Sequence, residues 1–250
     1  MSLGDIVQAT VDARRMLTGA PIEIAHARSQ LGLIALQQGA VEEALRELAA
    51  AASDYDALGR DSLASAHRVE HGWHALLSGR TTEAGRVLAT ATHEAHALRA
   101  SALLAIARGQ YRRARQMVAP LAARSWVRQI IEGLADYRQR RWRAIARAWE
   151  DAPREEPEMQ FFAAEAFQQL GQSERAAELY ERVVSEMNAW RQPILSSRAW
   201  LRLGQIRQAA GDAAGARAAY EEVIARRNRA SAGDPDRARA RVELRVLDSR

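Results

Sequence analysis

Small and apolar residues recur in register along this chain. One stretch carries Leu31-Gly32, Ala35, Gly39, Ala44, Leu48 and Ala51. The same order returns as Gly72, Ala75, Gly79, Ala84 and Leu88, then as Ala105, Gly109, Tyr111, Ala114 and Val118. It returns again as Phe167, Gly171, Ala176, Tyr180 and Val183, and most fully as Trp200, Leu203-Gly204, Gly211, Ala216, Tyr220 and Val223. The apolar positions within each stretch have helical spacing, and each stretch holds a Gly five residues before an Ala. This predicts pairs of helices. The Gly closes the first helix, where a positive φ is cheap only for Gly. The Ala marks the point where the second helix crosses its neighbour too closely for a larger side chain. A blurred unit lies between the third and fifth, with Gly133, Arg140, Trp142, Ile145, Trp149 and Ala152. There Arg140 stands in place of the closing Gly and Ile145 in place of the Ala. The alanine intervals of 40, 30 and 40 residues make the units unequal in length.

Turn residues punctuate the same plan. Gly19-Ala20-Pro21 closes an N-terminal helix, and Pro21 suits the first turn of the next. Asp61-Ser62, Thr81-Thr82 and Ser173 are expected N-caps. Pro120 is expected to end or kink the helix that precedes it. Pro153 and Pro157 bracket Arg154-Glu155-Glu156, the clearest linker, and Pro193 and Asp234-Pro235 mark two further boundaries. An Arg-rich helix over 236–247 is expected to cap the stack. The resulting expectation is one all-α array across 1–250. It has an N-terminal helix over 1–20, repeats one to four over 22–152, repeats five and six over 158–230 and a capping helix over 235–248.

These residues resemble the tetratricopeptide repeat, whose pattern runs Trp-x2-Leu-Gly-x2-Tyr, then Gly, Ala, an aromatic, Ala and Pro. The likeness covers roughly 25–230 and is most specific in the last unit. It implies a right-handed superhelical solenoid of about six hairpins, in which each unit touches only its neighbours. The longer units are similar to helical arrays of bacterial signalling proteins, among them large ATP-dependent transcription activators and Ser/Thr kinases. In that family the first helix of each hairpin lines a concave face. Carried over residue by residue, the first-helix positions that point inward are Leu33 and Leu36, then Trp73 and Leu76 with Leu77 beside them, then Leu103 and Ile106, then Ile130, Leu134 and Tyr137. Phe161 follows, and the face then turns polar with Glu165 and Gln168, and with Leu201, Gln205 and Gln208.

An exposed apolar stripe of this size would be a binding site. It suits an amphipathic helix laid in a groove. A register shifted by one residue would instead bury the same stripe between helices, and the N-terminal helix is a second candidate to fill it. On the groove reading, a few such side chains support roughly micromolar binding. Trp73→Ala is then expected to weaken partner binding with little loss of helicity. The clamp of Lys, Asn and Arg that holds chaperone tails in relatives is not expected, since the chain has no Lys and its asparagines are Asn188 and Asn228.

Composition narrows the chemistry. Apolar residues make up 48% and charged residues 27%, an ordered profile. There is no Cys, which excludes disulfides, thiolate metal sites and a cysteine nucleophile. All 36 basic residues are Arg, and the net charge is +5. No signal-peptide core and no membrane-spanning run is present, so a cytoplasmic location is expected. Arginines gather in the middle of the chain. Arg112, Arg113, Arg138 and Arg141 are the candidate basic patch, interleaved with Tyr111, Trp126, Trp142 and Trp149. Such a run is usually a solvated helix face. Otherwise it suits an acidic protein segment better than nucleic acid.

All six His lie before residue 100, with His67, His71 and His74 on one helix face and His93 and His96 on the next helix. They admit a metal or pH-sensing role, although His71 holds a position that normally packs inward. No cofactor is expected, and no catalytic constellation is seen: Glu155, Glu156 and Glu158 form a linker run, and a phosphate-binding Lys loop is excluded. The expected function is a protein-interaction scaffold that binds a partner helix or peptide. The alternatives are a sensory segment of a bacterial regulator or kinase and a nucleic-acid-binding solenoid.

Overall fold

A computed structural model describes residues 3–151, 156–185 and 191–249. Pro153 and Glu155 of the expected linker, and Asn188, lie outside them. All regular structure among the described residues is helical. The elements are α1 (Leu3–Met16), α2 (Pro21–Gln37), α3 (Val41–Ala57), α4 (Asp61–Leu77), α5 (Thr81–Leu88), α6 (Glu94–Ala107) and α7 (Tyr111–Val118). They continue as α8 (Trp126–Arg138), α9 (Trp142–Asp151), α10 (Pro157–Gln169), α11 (Ser173–Val183), α12 (Pro193–Ala209), α13 (Ala213–Arg226) and α14 (Pro235–Asp248). They form sequential pairs joined by short turns.

The turns follow from the spacing. Gly39, Gly79, Gly109, Gly171 and Gly211 all have φ between 72° and 82°, and Arg140 holds the equivalent place at 55°. The turns at Gly79, Gly109, Arg140, Gly171 and Gly211 are each closed by a backbone bond of one pattern, such as Arg80 N–H to Ala75 C=O at 2.8 Å and Asp212 N–H to Arg207 C=O at 2.9 Å. This geometry corrects the expected caps. Asp61, Thr81 and Ser173 are the first residues inside their helices. Arg60, Arg80 and Gln172 hold the cap positions, with no side-chain cap bond. At these three starts the left-handed Gly and the tight bond after it already set the entry angle without a side-chain cap; Asp212 adds one on top of the same geometry, accepting from Gly215 N–H at 2.8 Å. Side-chain caps occur at α6, α13 and α14, where His93, Asp212 and Asp234 accept from backbone N–H groups. α7 stops at Val118, two residues before Pro120.

Packing within the pairs is equally local. Ala44, Ala84, Ala114, Ala176 and Ala216 are fully buried, and Ile145 in the blurred unit is 3% exposed. Sixteen residues separate Gly32 from Leu48, Gly72 from Leu88 and Gly204 from Tyr220. In each case the later side chain fills the space a Cβ would need. A Cβ on Gly72 would stand 2.4 Å from Leu88 Cγ, and one on Gly204 2.4 Å from Tyr220 Cε1. The first helix of the hairpin thus receives the second at a notch.

The chain divides into two compact units, the first Met1–Leu36 with Val41–Ala135, the second Gln37–Ala40 with Asp136–Arg250. In the first, α3, α5 and α6 all pack on α4, and α7 packs on α6. In the second, α10 packs on α9 and α11, α11 on α12, and α12 on α13. α14 covers α13, where Ala240 joins Leu201, Ala216, Tyr220 and Val223 in one cluster, flanked by Leu244 and Leu247. A buried Arg227–Asp234 ion pair holds the turn before it.

Candidate functional site

In the second unit the first helices of two successive hairpins, α10 and α12, present one face to a cleft of about 360 Å³. Phe161 and Glu165 come from α10, one turn apart. Arg198, Leu201, Arg202 and Gln205 come from α12 at helical spacing, so all four share a face. Tyr137 closes one side, and Asp236 and Arg239 of α14 the other. Phe161 forms the floor, wedged edge-on against Tyr180 at 5.9 Å and Tyr137 at 6.2 Å. Tyr137 in turn stacks on Phe162 at 5.0 Å.

A buried polar network fixes this floor. Glu165 is 4% exposed. Its Oε1 accepts from Arg202 Nε at 2.6 Å, and its Oε2 from Arg202 Nη2 at 3.4 Å. The Tyr180 hydroxyl lies 2.9 Å from both Glu165 Oε1 and Gln168 Oε1; it has one proton and donates to one at a time. Arg202 also donates to Gln205 at 3.1 Å. Burial alone would lower the Arg202 pKa, but the Glu165 carboxylate more than offsets it and the net shift is upward. The Tyr180 phenol is pushed well above its ordinary value by burial first and by Glu165 second, and Tyr137 is raised by the same two causes. Arg202 therefore stays charged and the two tyrosines stay neutral across the physiological range. The next repeat echoes the motif, with the Tyr220 hydroxyl donating to Gln208 at 2.7 Å.

The apolar positions read from the sequence fall differently. Leu36, Trp73, Leu76, Leu77, Leu103, Ile106, Ile130 and Leu134 are all under 9% exposed, and Trp73 is at 1%. Their area goes to packing between helices, as a shifted register would have it. Leu33 and Tyr137 are half-buried and reach solvent. Of the polar continuation, Phe161, Glu165, Leu201 and Gln205 all line the cleft. Arg198, Arg202, Asp236 and Arg239 were not legible as site residues. Arg202 follows Leu201 on the same helix and gives no separate signal, and α14 reaches the cleft only through the fold.

The histidines are individually accounted for, His26 by Gln30 on the same helix at 2.9 Å. His67 bonds Ser29 Oγ at 2.8 Å and the Leu63 carbonyl at 2.9 Å. His71, 4% exposed, bonds Glu83 at 3.1 Å. His74, 1% exposed, faces Glu70 at 3.9 Å. His93 caps α6 and lies beside His96. Among the described residues they join no group of three metal-ligating side chains.

The arginines divide likewise. In the first unit Arg112 and Arg113 are exposed. Arg128 instead ties down the segment after α7, donating to Glu132 and to the carbonyls of Ala119 and Leu121. In the second unit Arg141 is exposed and pairs with Asp136 at 3.1 Å, and Arg138 is half-buried.

Residues 197–229, which span α12 and α13, match the tetratricopeptide repeat. They coincide with the unit whose sequence pattern is fullest and whose first helix forms the cleft wall. No curated protein matches the chain. Tetratricopeptide repeats generally serve as protein–protein interaction modules, and the rest of the chain repeats the same sequential helix pairs. Among the described residues no helix is long and apolar enough to cross a membrane.

Proposed function

We propose that the chain is a protein-interaction scaffold that seats a partner helix or peptide on the first-helix face of its repeats, with the cleft between α10 and α12 as the principal seat. One observation carries this reading. Phe161, Glu165, Leu201 and Gln205 converge from two consecutive first helices on one cleft, and the second of those helices lies in the matched repeat. An apolar floor with polar groups held in place by the Glu165–Arg202–Tyr180 network is the composition expected of a preformed binding site. Because the network is already satisfied, the partner meets a rigid surface and little ordering entropy is lost on binding.

In the first unit Leu33 is the apolar position that reaches solvent on this face; the buried positions from Leu36 to Leu134 support the helices that carry it. Arg112 and Arg113 of one unit, and Arg138 and Arg141 of the other, supply positive potential that speeds encounter with an acidic partner.

The test is site-specific photocrosslinking in a native lysate. A benzophenone amino acid at Gln205, on the cleft wall, should capture a partner that the same group at exposed Glu178 on α11 does not. Identical products from the two positions would refute the cleft as the seat.

A further inference from the structure

The first unit has a second cleft, on the opposite helices of its hairpins. α3 and α5 both pack against α4. Between them lies a cavity of about 520 Å³, floored by His71 of α4. That volume is in the range of ligand-sized pockets. Leu45 and Ala49 of α3 and Val87 of α5 give it an apolar lining. The charges around it are unevenly matched. Arg80 holds both of its carboxylates, reaching Glu42 at 2.8 Å and Glu83 at 3.6 Å. Glu83 is engaged a second time by His71 at 3.1 Å. That leaves Arg46 and Arg86, exposed on facing helices of the same cavity. Neither has a hydrogen bond or ion pair among the described residues.

We infer that this cavity between α3 and α5 is a docking site for an acidic segment of a partner protein, with two carboxylate side chains on Arg46 and Arg86 and an apolar side chain between them over Ala49 and Val87. Two observations select this occupant. Two guanidiniums without internal partners favour carboxylates, which they bind through paired N–H groups. With Arg80 engaged by Glu42 and Glu83, Arg46 and Arg86 are two separate anchor points on the lining, which suit two discrete carboxylates better than a continuous phosphate backbone. The site uses different helices and a different unit from the proposed seat between α10 and α12, so it stands or falls separately.

The experiment is a selection of displayed random peptides of about twelve residues on the full chain, in low salt, followed by fluorescence anisotropy of the enriched sequences. The discriminating variant is Arg46→Glu/Arg86→Glu. Both side chains stand in solvent, so circular dichroism should show unchanged helicity. The charge-neutral Arg46→Gln/Arg86→Gln serves as the second variant. The inference expects enriched peptides with acidic residues flanking an apolar one. Their affinity should fall at least ~10-fold in the Glu variant, less in the Gln variant, and further with added salt. Enrichment of neutral or basic peptides, or of acidic ones that bind both variants as well as the native chain, overturns it. So does a single-stranded RNA that binds the native chain more tightly than any selected peptide and loses that binding in the Glu variant. None of these results bears on crosslinking at Gln205.

Discussion

His74 makes the stability of the chain depend on pH in a way that can be worked out in advance. Its imidazole is 1% exposed. Burial above all, then Arg99 and His71, lowers its pKa from 6.5 to about 3. The folded chain therefore keeps it neutral, whereas the unfolded chain protonates it near 6.5. A folded pKa below the unfolded one means that the unfolded state binds more protons as the solution acidifies. The stability it contributes is complete above pH 6.5, falls as the pH drops through that value, and levels off near the folded pKa. At pH 5 the loss is about 2 kcal/mol, taking 1.36 kcal/mol for each pH unit below 6.5.

His71, also lowered by burial, acts in the same sense. Glu70, raised by burial, acts in the opposite sense, because protonation relieves its desolvation. The difference between the native chain and His74→Leu isolates the one group. Urea unfolding at pH 7.5 and pH 5 should show the native chain losing about 2 kcal/mol more than the variant. At pH 7.5 the two should be close, since His74 Nδ1 is buried without a hydrogen-bond partner and nothing is orphaned by its removal. Equal pH dependence of the two proteins would show that burial does not hold His74 neutral.

Three further outcomes follow from the packing. Trp73→Ala should lower stability by about 3–5 kcal/mol, read by thermal melting, because the indole is fully enclosed; this replaces the sequence-based expectation of lost binding with intact helicity. Gly204→Ala should cost about 1–3 kcal/mol, since the new methyl lands 2.4 Å from the Tyr220 ring, and pairing it with Tyr220→Leu should recover part of the loss. Tyr180→Phe should cost about 1 kcal/mol by chemical denaturation and leave the helical signal unchanged, because it removes the hydroxyl that joins Glu165 to Gln168.

The sequence by itself determined what is local. A Gly five residues before an Ala fixes where one helix stops and where the next can approach, because a positive φ and a missing side chain are properties of single residues. That is why the hairpins could be read, why Arg140 could be placed at the closing position of the blurred unit, and why the most complete pattern coincides with the matched repeat at 197–229. Which apolar residues would meet solvent was left to the tertiary structure. A first helix in such an array is covered by neighbours on both flanks, and a 3.6-residue period marks an apolar face without saying what lies against it. Trp73 and Leu103 are therefore interior, while Leu33, with the same pattern around it, is half-exposed. The two clefts were beyond the sequence for a related reason. Arg239 and Phe161 line one of them from 78 residues apart, Arg46 and Arg86 the other from 40, and only the stacking of intervening helices brings such residues to a common wall.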